Sequence, residues 1–212
     1  MRLNERQQER GDTIIEVLFA VAIFAMVAVG SLTIMNQGTS TAQRSLEITL
    51  VRQQIDAQAE AIRYIHQSYV ANYQKSGAAP TGTAAEWVKM TDPITGKGAT
   101  GASVFGDTVG LSCPTTTPGQ RPFILNARTA TVWNSTPTMT APADGSVPPF
   151  AQVAYNSDSS INQAFGLWIE SVPSTNPDGP GFVDFHIRAC WLGPGNVAPM
   201  TMGTIVRLYE PR

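Results

Sequence analysis

One carboxylate, Glu16, lies near the start of a long apolar stretch of the sequence. From Ile14 to Met35 the chain has no other charged residue. An ionised carboxylate in hydrocarbon costs on the order of 3 kcal/mol unless it finds a partner. A capping box, in which Thr13 and Glu16 satisfy the first amides of a helix, would make this carboxylate tolerable. That interpretation accounts for Glu16 but not for the polar residues that precede it.

Two cysteines, Cys113 and Cys190, lie in the part of the chain that follows the apolar stretch. If that part is exported to an oxidising compartment, the expected state of the two thiols is a disulfide. The bridge would close a loop of 78 residues, counting both ends. We expect this disulfide, and two free buried thiols are the alternative.

The other side chains with chemical potential form no catalytic pattern. A nucleophilic pair of either cysteine with His186 is conceivable, but disulfide and surface roles account for these residues better, and His66 stands alone on a helix. The segments Asn156-Ser157-Asp158 and Asp178-Gly179 could offer oxygen atoms to calcium. Because no acidic cluster surrounds them, we interpret them as turns. The sequence therefore predicts no enzyme, no cofactor and no metal site.

The apolar stretch is long enough to cross a bilayer. Its 22 residues from Ile14 to Met35 would rise about 33 Å as an α-helix. The leader before it carries three arginines and two glutamates, and the next charge after it is Arg44. Basic residues before the span place the leader in the cytoplasm and the rest outside. A secretory signal peptide, with a small-residue site at 28–30, and an uncleaved anchor both fit these features.

The segment from Gly11 to Leu18, with the sequence GDTIIEVL before an apolar helix, resembles the processing motif of type IV pilins and pseudopilins. The resemblance implies that a prepilin peptidase cuts after Gly11 and that the new amino terminus, Asp12, is N-methylated. It also implies that Glu16, the fifth residue of the mature chain, guides assembly. The sequence departs from the family at Asp12, where the family usually has phenylalanine.

Cleavage would free a positively charged amine on Asp12, and a buried carboxylate needs a positive partner. The amine of one chain would meet Glu16 of its neighbour and fix the register of otherwise interchangeable apolar helices. The carboxylate of Asp12 competes for the same amine. We therefore predict an unusual position in the filament, such as capping or priming it.

The helix is expected to continue beyond the membrane as an amphipathic stretch. Apolar residues recur three or four positions apart, which is the helical period: Val51, Ile55, Ala59, Ile62, Ile65, Tyr69 and Tyr73. Between the two halves, residues 36–41 are poor helix formers. The helix either bends or melts there, or this segment is only the membrane exit.

The head is expected to be rich in β-structure. Residues 76–149 hold 14 Thr, 9 Pro and 9 Gly, which indicates loops and short strands without a helical period. Strands are predicted at five places: Phe123–Trp133, Phe150–Tyr155, Phe165–Val172, Phe182–Leu192 and Thr204–Tyr209. The fourth has one fully apolar face, which should pack on the amphipathic helix, and Cys190 on its polar face. The tryptophans at 133, 168 and 191 could form a sugar-binding surface but are interpreted as core residues.

These elements predict an α+β fold, a long N-terminal helix packed on a C-terminal antiparallel sheet. The expected organisation is a leader at 1–11, a transmembrane and assembly helix at 12–35, an amphipathic continuation at 36–75 and an extracytoplasmic head at 76–212. The resemblance implies a minor pilin-like subunit of a type IV pilus or pseudopilus. Its partners would be the prepilin peptidase, other pilin or pseudopilin subunits, and the inner membrane that it crosses once before reaching a surface filament.

Two further expectations concern partners. The net charge of −2 gives no case for specific nucleic-acid binding. The alternative function is an uncleaved, membrane-tethered, adhesin-like module whose Thr/Pro/Gly-rich region contacts a surface. Processing separates the two functions, because only a pilin-like subunit begins at a methylated Asp12.

Overall fold

A computed structural model describes residues 12–73, 78–92, 113–114, 121–139, 150–174, 181–193 and 198–211. The chain forms two units, Met1–Gln43 and Arg44–Arg212. The elements are α1 (Asp12–Asn72), α2 (Thr83–Thr91), β1 (Leu125–Asn126), β2 (Thr131–Val132), β3 (Gln152–Tyr155), β4 (Ile161–Phe165), β5 (Leu167–Ser174), β6 (Phe182–Trp191) and β7 (Met200–Tyr209). The leader at 1–11 with Gly11, and the predicted turn at 178–179, lie outside the described residues.

Helix α1 contains both the apolar stretch and the amphipathic stretch. Residues 36–41, where a bend or local melting was one expectation, are helical. Hydroxyl groups there bond to the preceding turn, as Thr41 Oγ1 does to the carbonyl of Gln37 at 2.9 Å. In the second unit the predicted stripe is confirmed over five positions, which are all buried: Val51, Ile55, Ala59, Ile62 and Ile65. Tyr69 is half-buried and Tyr73 is exposed, so burial along the stripe decreases toward the C-terminal end of α1.

Helix α2 corrects the prediction that residues 76–149 have no helical element. Its nine residues are too few to form a stable helix in isolation. Trp87 and Met90, three positions apart on one face, are almost fully buried. Packing of this face therefore stabilises the helix. The composition of the whole region, averaged over 74 residues, does not indicate so short a helix.

The described strands form three antiparallel sheets. β1 pairs with β2, β3 pairs with β4, and β5, β6 and β7 form a three-stranded sheet in that order. Two isolated bridges extend these sheets: Phe123 pairs with Ile169 of β5, and Thr138 pairs with Phe165 of β4. The predicted α+β arrangement is confirmed.

The central strand β6 shows the predicted alternation. Its inner face is buried completely and joins the core that the second unit's part of α1 also lines: Val183, Phe185, Ile187, Ala189 and Trp191. The outer-face residues from Phe182 to Arg188 are only partly buried. This is the pattern of an antiparallel sheet that is packed on one face.

Two predicted strands are each divided by a turn. The segment 123–133 forms a hairpin, because Asn126 turns the chain by accepting a hydrogen bond from the Arg128 amide on its side-chain oxygen at 3.0 Å. The segment 165–172 is divided at Gly166, which separates β4 from β5. Gly166 has a φ of 62°, a conformation that favours glycine.

Candidate functional site

The apolar part of α1 presents large hydrophobic side chains that nothing in its own unit covers. From Ile14 to Met35 these side chains are between 59 and 75% exposed. Scattered exposed hydrophobics are ordinary, but a continuous surface of this kind marks contact with a membrane or with another protein. By length and composition, α1 is also the one helix in the described part of the chain that could cross a membrane.

The two hydroxyl side chains within this segment form hydrogen bonds with the helix backbone. Ser31 Oγ donates to the carbonyl oxygen of Val27 at 2.7 Å, and Thr33 Oγ1 donates to that of Val29 at 2.9 Å. Hydroxyls bonded in this way add no unsatisfied donor to an apolar surrounding. Ser31 and Thr33 are therefore compatible with a position in hydrocarbon.

Glu16 differs from these hydroxyls, because its side chain is exposed among exposed apolar neighbours. Asp12 is the first residue of α1, four positions earlier on the same helix. The side chains of Asp12 and Thr13 are outside the described part, and so is Gly11. The cleavage, methylation and capping-box expectations therefore stay predictions.

Two buried polar side chains of α1 contact the head, and the sequence pattern did not reveal either of them. Glu47 is buried and its Oε2 accepts a hydrogen bond from Trp191 Nε1 at 3.2 Å. Gln58 makes two hydrogen bonds to the backbone of Leu125, 2.8 Å from its amide nitrogen to the carbonyl oxygen and 2.9 Å from its side-chain oxygen to the amide. Glu47 lies one helical turn before Val51, and Gln58 lies between the stripe residues Ile55 and Ala59, so both are on the buried face of the helix.

An aromatic cluster lies nearer the C-terminal end of α1, where this helix contacts the head. The Trp87 ring stacks on Tyr69, with ring centres 5.5 Å apart, and lies 4.9 Å from the His66 ring. His66 Nε2 lies 2.9 Å from the carbonyl oxygen of Tyr209 in β7. His66 is thus engaged in packing and in a contact with the backbone.

The expected disulfide is present. Cys113 and Cys190 are bonded, with 5.7 Å between their Cα atoms, well within the usual range. They form a small separate cluster with Met139 and Trp168. Cys190 alternates with the inner-face residues Ala189 and Trp191, so it lies on the outer face of β6, as predicted. Because both thiols are used, the conceivable cysteine–histidine nucleophile does not exist in this state.

The outer face of the three-stranded sheet carries most of the charged side chains that lie in the described helices and strands of the head. Asp184 and Arg207 form a two-point pair across β6 and β7, with both N–O distances 2.7 Å. The hydrogen bond from Arg207 holds the pKa of Asp184 below its ordinary value, although burial opposes this shift. Burial and the neighbouring Arg188 lower the pKa of His186, despite the opposing effect of Asp184. These effects favour the neutral form of the His186 imidazole.

The described residues contain no group of three or more side chains able to hold a metal ion. The segment Asn156–Asp158 forms the predicted turn, in which Asp158 Oδ1 accepts the Ser160 amide at 2.9 Å. What the described arrangement can do is present a long apolar helical surface in one unit and a disulfide-bonded sheet in the other. Comparison with protein-family models, curated proteins and solved structures finds no match for this chain.

Proposed function

We propose that the chain is a structural, minor pilin-like subunit of a type IV pilus or a related pseudopilus. The carrying observation is the apolar surface of α1 from Ile14 to Met35, which is exposed along its whole length and bears one carboxylate, Glu16. In the membrane, lipid covers this surface. In a filament, the same helix of neighbouring subunits covers it.

The carboxylate is the part of this surface that a plain membrane anchor does not need. Glu16 would be costly in hydrocarbon, by about 3 kcal/mol on insertion scales. Cleavage after Gly11 creates a positive amine on Asp12, and the pair then repays part of this cost between two chains. The subunit is inserted in the inner membrane with its leader in the cytoplasm and is processed by a prepilin peptidase. It then moves from the bilayer into the bundle.

The first experiment is mass spectrometry of the amino terminus of the chain purified from membranes and from sheared surface filaments, produced together with a prepilin peptidase. The expected product begins at a monomethylated Asp12. A Gly11→Val chain is the control and should keep its leader. An intact Met1 in the unaltered chain would instead support the alternative, an uncleaved membrane-tethered module that binds a surface.

The second experiment separates processing from assembly. Glu16→Gln keeps the size of the side chain and removes its charge. We expect this variant to be cleaved normally and to be lost from filaments, which is measured by immunoblotting of the sheared fraction. Glu16→Asp, which keeps the charge, should retain part of the assembly. Normal incorporation of Glu16→Gln would overturn the role given to this carboxylate.

A further inference from the structure

A cavity of about 520 Å³ in the second unit is lined by α1, by the turn of the β1–β2 hairpin and by the start of α2. The α1 wall consists of four residues on one helical face, three or four positions apart: Ala57, Glu60, Ala61 and Tyr64. Residues 127–130 of the turn and Thr83, the first residue of α2, complete the lining. The volume is within the range of small-molecule sites in proteins.

The apolar part of the lining consists of four alanines, two from α1 and two from the turn: Ala57, Ala61, Ala127 and Ala130. Ala130 is buried and has a φ of 51°, a conformation that favours glycine. The turn therefore holds an alanine where a glycine would be relaxed, and strained positions of this kind cluster at ligand sites. Because alanine side chains are small, they leave the volume open and offer a ligand apolar contacts.

The polar part of the lining supplies both donors and acceptors of hydrogen bonds. The ionised carboxylate of Glu60 only accepts hydrogen bonds, and the guanidinium of Arg128 only donates them. The hydroxyl groups of Tyr64, Thr83 and Thr129 can do both. A ligand that matches this arrangement carries several groups that donate and accept at once. Hydroxyl groups have this property.

Contacts with the neighbouring strand pair hold the Arg128 side chain in place. Its guanidinium carbon lies 4.2 Å from the centre of the Tyr155 ring. Its Nη1 donates to Ser159 Oγ at 3.4 Å. These contacts use one ring face and one N–H group, and a guanidinium has five N–H groups. A side chain that is ordered before binding loses less conformational entropy when a ligand arrives.

The charges of the lining favour a neutral ligand. Glu60 forms an ion pair with Arg63, three positions further along α1. An anion in the cavity would meet the Glu60 carboxylate, and a cation would meet the Arg128 guanidinium, so either charge would face a repulsive group. An extended peptide is not favoured either. The lining residues 127–130 form the turn between two strands of two residues each and offer no long strand edge.

Tyr64 supplies an aromatic ring that a ligand can reach, since its side chain is 56% exposed. The C–H groups on one face of a pyranose ring are apolar and pack on aromatic and methyl surfaces, whereas the hydroxyl groups on its edge form hydrogen bonds. A site with apolar contacts and a few polar groups that fix orientation suits such a ligand. No tryptophan lines this cavity, so the site is separate from Trp133, Trp168 and Trp191.

We infer that this cavity binds a neutral sugar unit of a glycan, with the sugar ring against Tyr64 and its hydroxyl groups hydrogen-bonded to Glu60 and Arg128. These three side chains are exposed, so the glycan can continue into solvent on either side of the bound unit. The interaction does not require filament assembly.

The test uses the full chain in micelles of a detergent without a sugar head group, so that the detergent does not compete. The probes are the methyl glycosides of cellobiose, lactose, maltose and N,N′-diacetylchitobiose, each beside its free disaccharide. Binding is measured by saturation-transfer NMR and titration calorimetry. We expect at least one methyl glycoside to bind as well as its free parent, because a unit within a glycan has no free reducing end. Absence of binding by all the probes, or a requirement for a free reducing end, would overturn the inference.

The ionic strength and a competing anion test whether the ligand is neutral. The affinity of the bound probe should change less than about twofold between about 50 and 500 mM sodium chloride, because salt screens only charged pairs. Inorganic phosphate should not displace the probe. Displacement by phosphate at constant ionic strength would identify an anion site and would overturn the inference.

Two pairs of variants place the binding in this cavity. Tyr64→Ala should weaken binding about tenfold through loss of the ring contact, whereas Tyr73→Ala, at an exposed position of α1 outside the lining, should not. Ala57→Trp fills the cavity from an exposed position of α1 and should abolish binding. Ala71→Trp, also exposed on α1, is its matched control. Equal binding by the members of both pairs would exclude the cavity as the site.

Discussion

Gln58 ties α1 to the polypeptide backbone of the head at two points, both on Leu125. It replaces water for both the N–H and the C=O of Leu125, a residue with no exposed surface. Buried backbone groups that lose their partners carry a desolvation penalty, whereas exposed ones turn to water. The contribution of Gln58 to the stability of the fold therefore depends on its burial. An exposed glutamine on the same helix makes no comparable contribution.

We expect Gln58→Met, which keeps the approximate shape and removes both hydrogen bonds, to lower the free energy of unfolding by about 2–4 kcal/mol. Urea denaturation of the full chain in micelles measures this loss. Gln53→Met, at an exposed position of α1, is the control and should change stability by less than about 0.5 kcal/mol. Equal effects of the two changes would contradict the role of Gln58.

The Asp184–Arg207 pair makes a second residue-scale prediction, on pH. Because the folded-state pKa of Asp184 is lowered, its stabilising effect is present above the unfolded-state pKa of about 3.9 and is lost as the pH falls through the folded-state value. At pH 7, Asp184→Asn should therefore melt a few degrees below the unaltered chain. This difference should shrink below about pH 4. Thermal melting at pH 7 and pH 3 measures it, with Asp56→Asn at an exposed position of α1 as control.

At the scale of elements, the sequence predicts features that follow a period within one helix or strand. It does not predict features that depend on how neighbouring strands are aligned. The alternation in β6 and the stripe from Val51 to Ile65 appear in the sequence because burial follows a simple period. α2 was missed because nine residues carry a weak signal, and its stability comes from burying Trp87. Gly203 lies opposite Arg188 only because of the strand register, which no pattern along the sequence shows.

The disulfide ties the segment at Cys113 to the central strand β6. On the chain-entropy account, closing a loop of this length stabilises the fold by about 4 kcal/mol. We expect the Cys113→Ser/Cys190→Ser double variant to lose about this amount in urea denaturation. Reduction of the unaltered chain by dithiothreitol should cause the same loss. The double variant itself should not respond to the reductant, and a stable reduced chain would contradict the prediction.

At the scale of the whole molecule, the two units differ in whether their apolar side chains are exposed or buried. The first unit exposes an apolar helix and the second buries a mixed core. The length and apolar character of this helix were predictable from the sequence. Its environment was not, because a lone chain contains neither lipid nor neighbouring subunits. The predicted leader at 1–11 and the predicted cleavage after Gly11 lie outside the described residues, and mass spectrometry of the amino terminus tests both.

We expect Phe24→Arg to prevent stable membrane insertion of the full chain. Phe24 is 74% exposed near the middle of the apolar stretch, and an arginine at that depth costs about 3 kcal/mol on insertion scales. The measurement is the fraction of chain that resists carbonate extraction from membranes. Tyr64→Arg, at an exposed position of α1 in the second unit, is the control and should remain membrane-bound. Equal retention of both variants would contradict this prediction.

The covalent link between Cys113 and Cys190 also sets how far the molecule can lengthen under mechanical load. A force pulling on the two ends of the chain passes through the sulfur atoms and bypasses the 77 peptide bonds between the two residues. At about 3.5 Å per extended residue, roughly 270 Å of contour length is withheld. β1 to β5 and most of β6 lie within the withheld length, so the segments that tension can draw out are those before Cys113 and after Cys190.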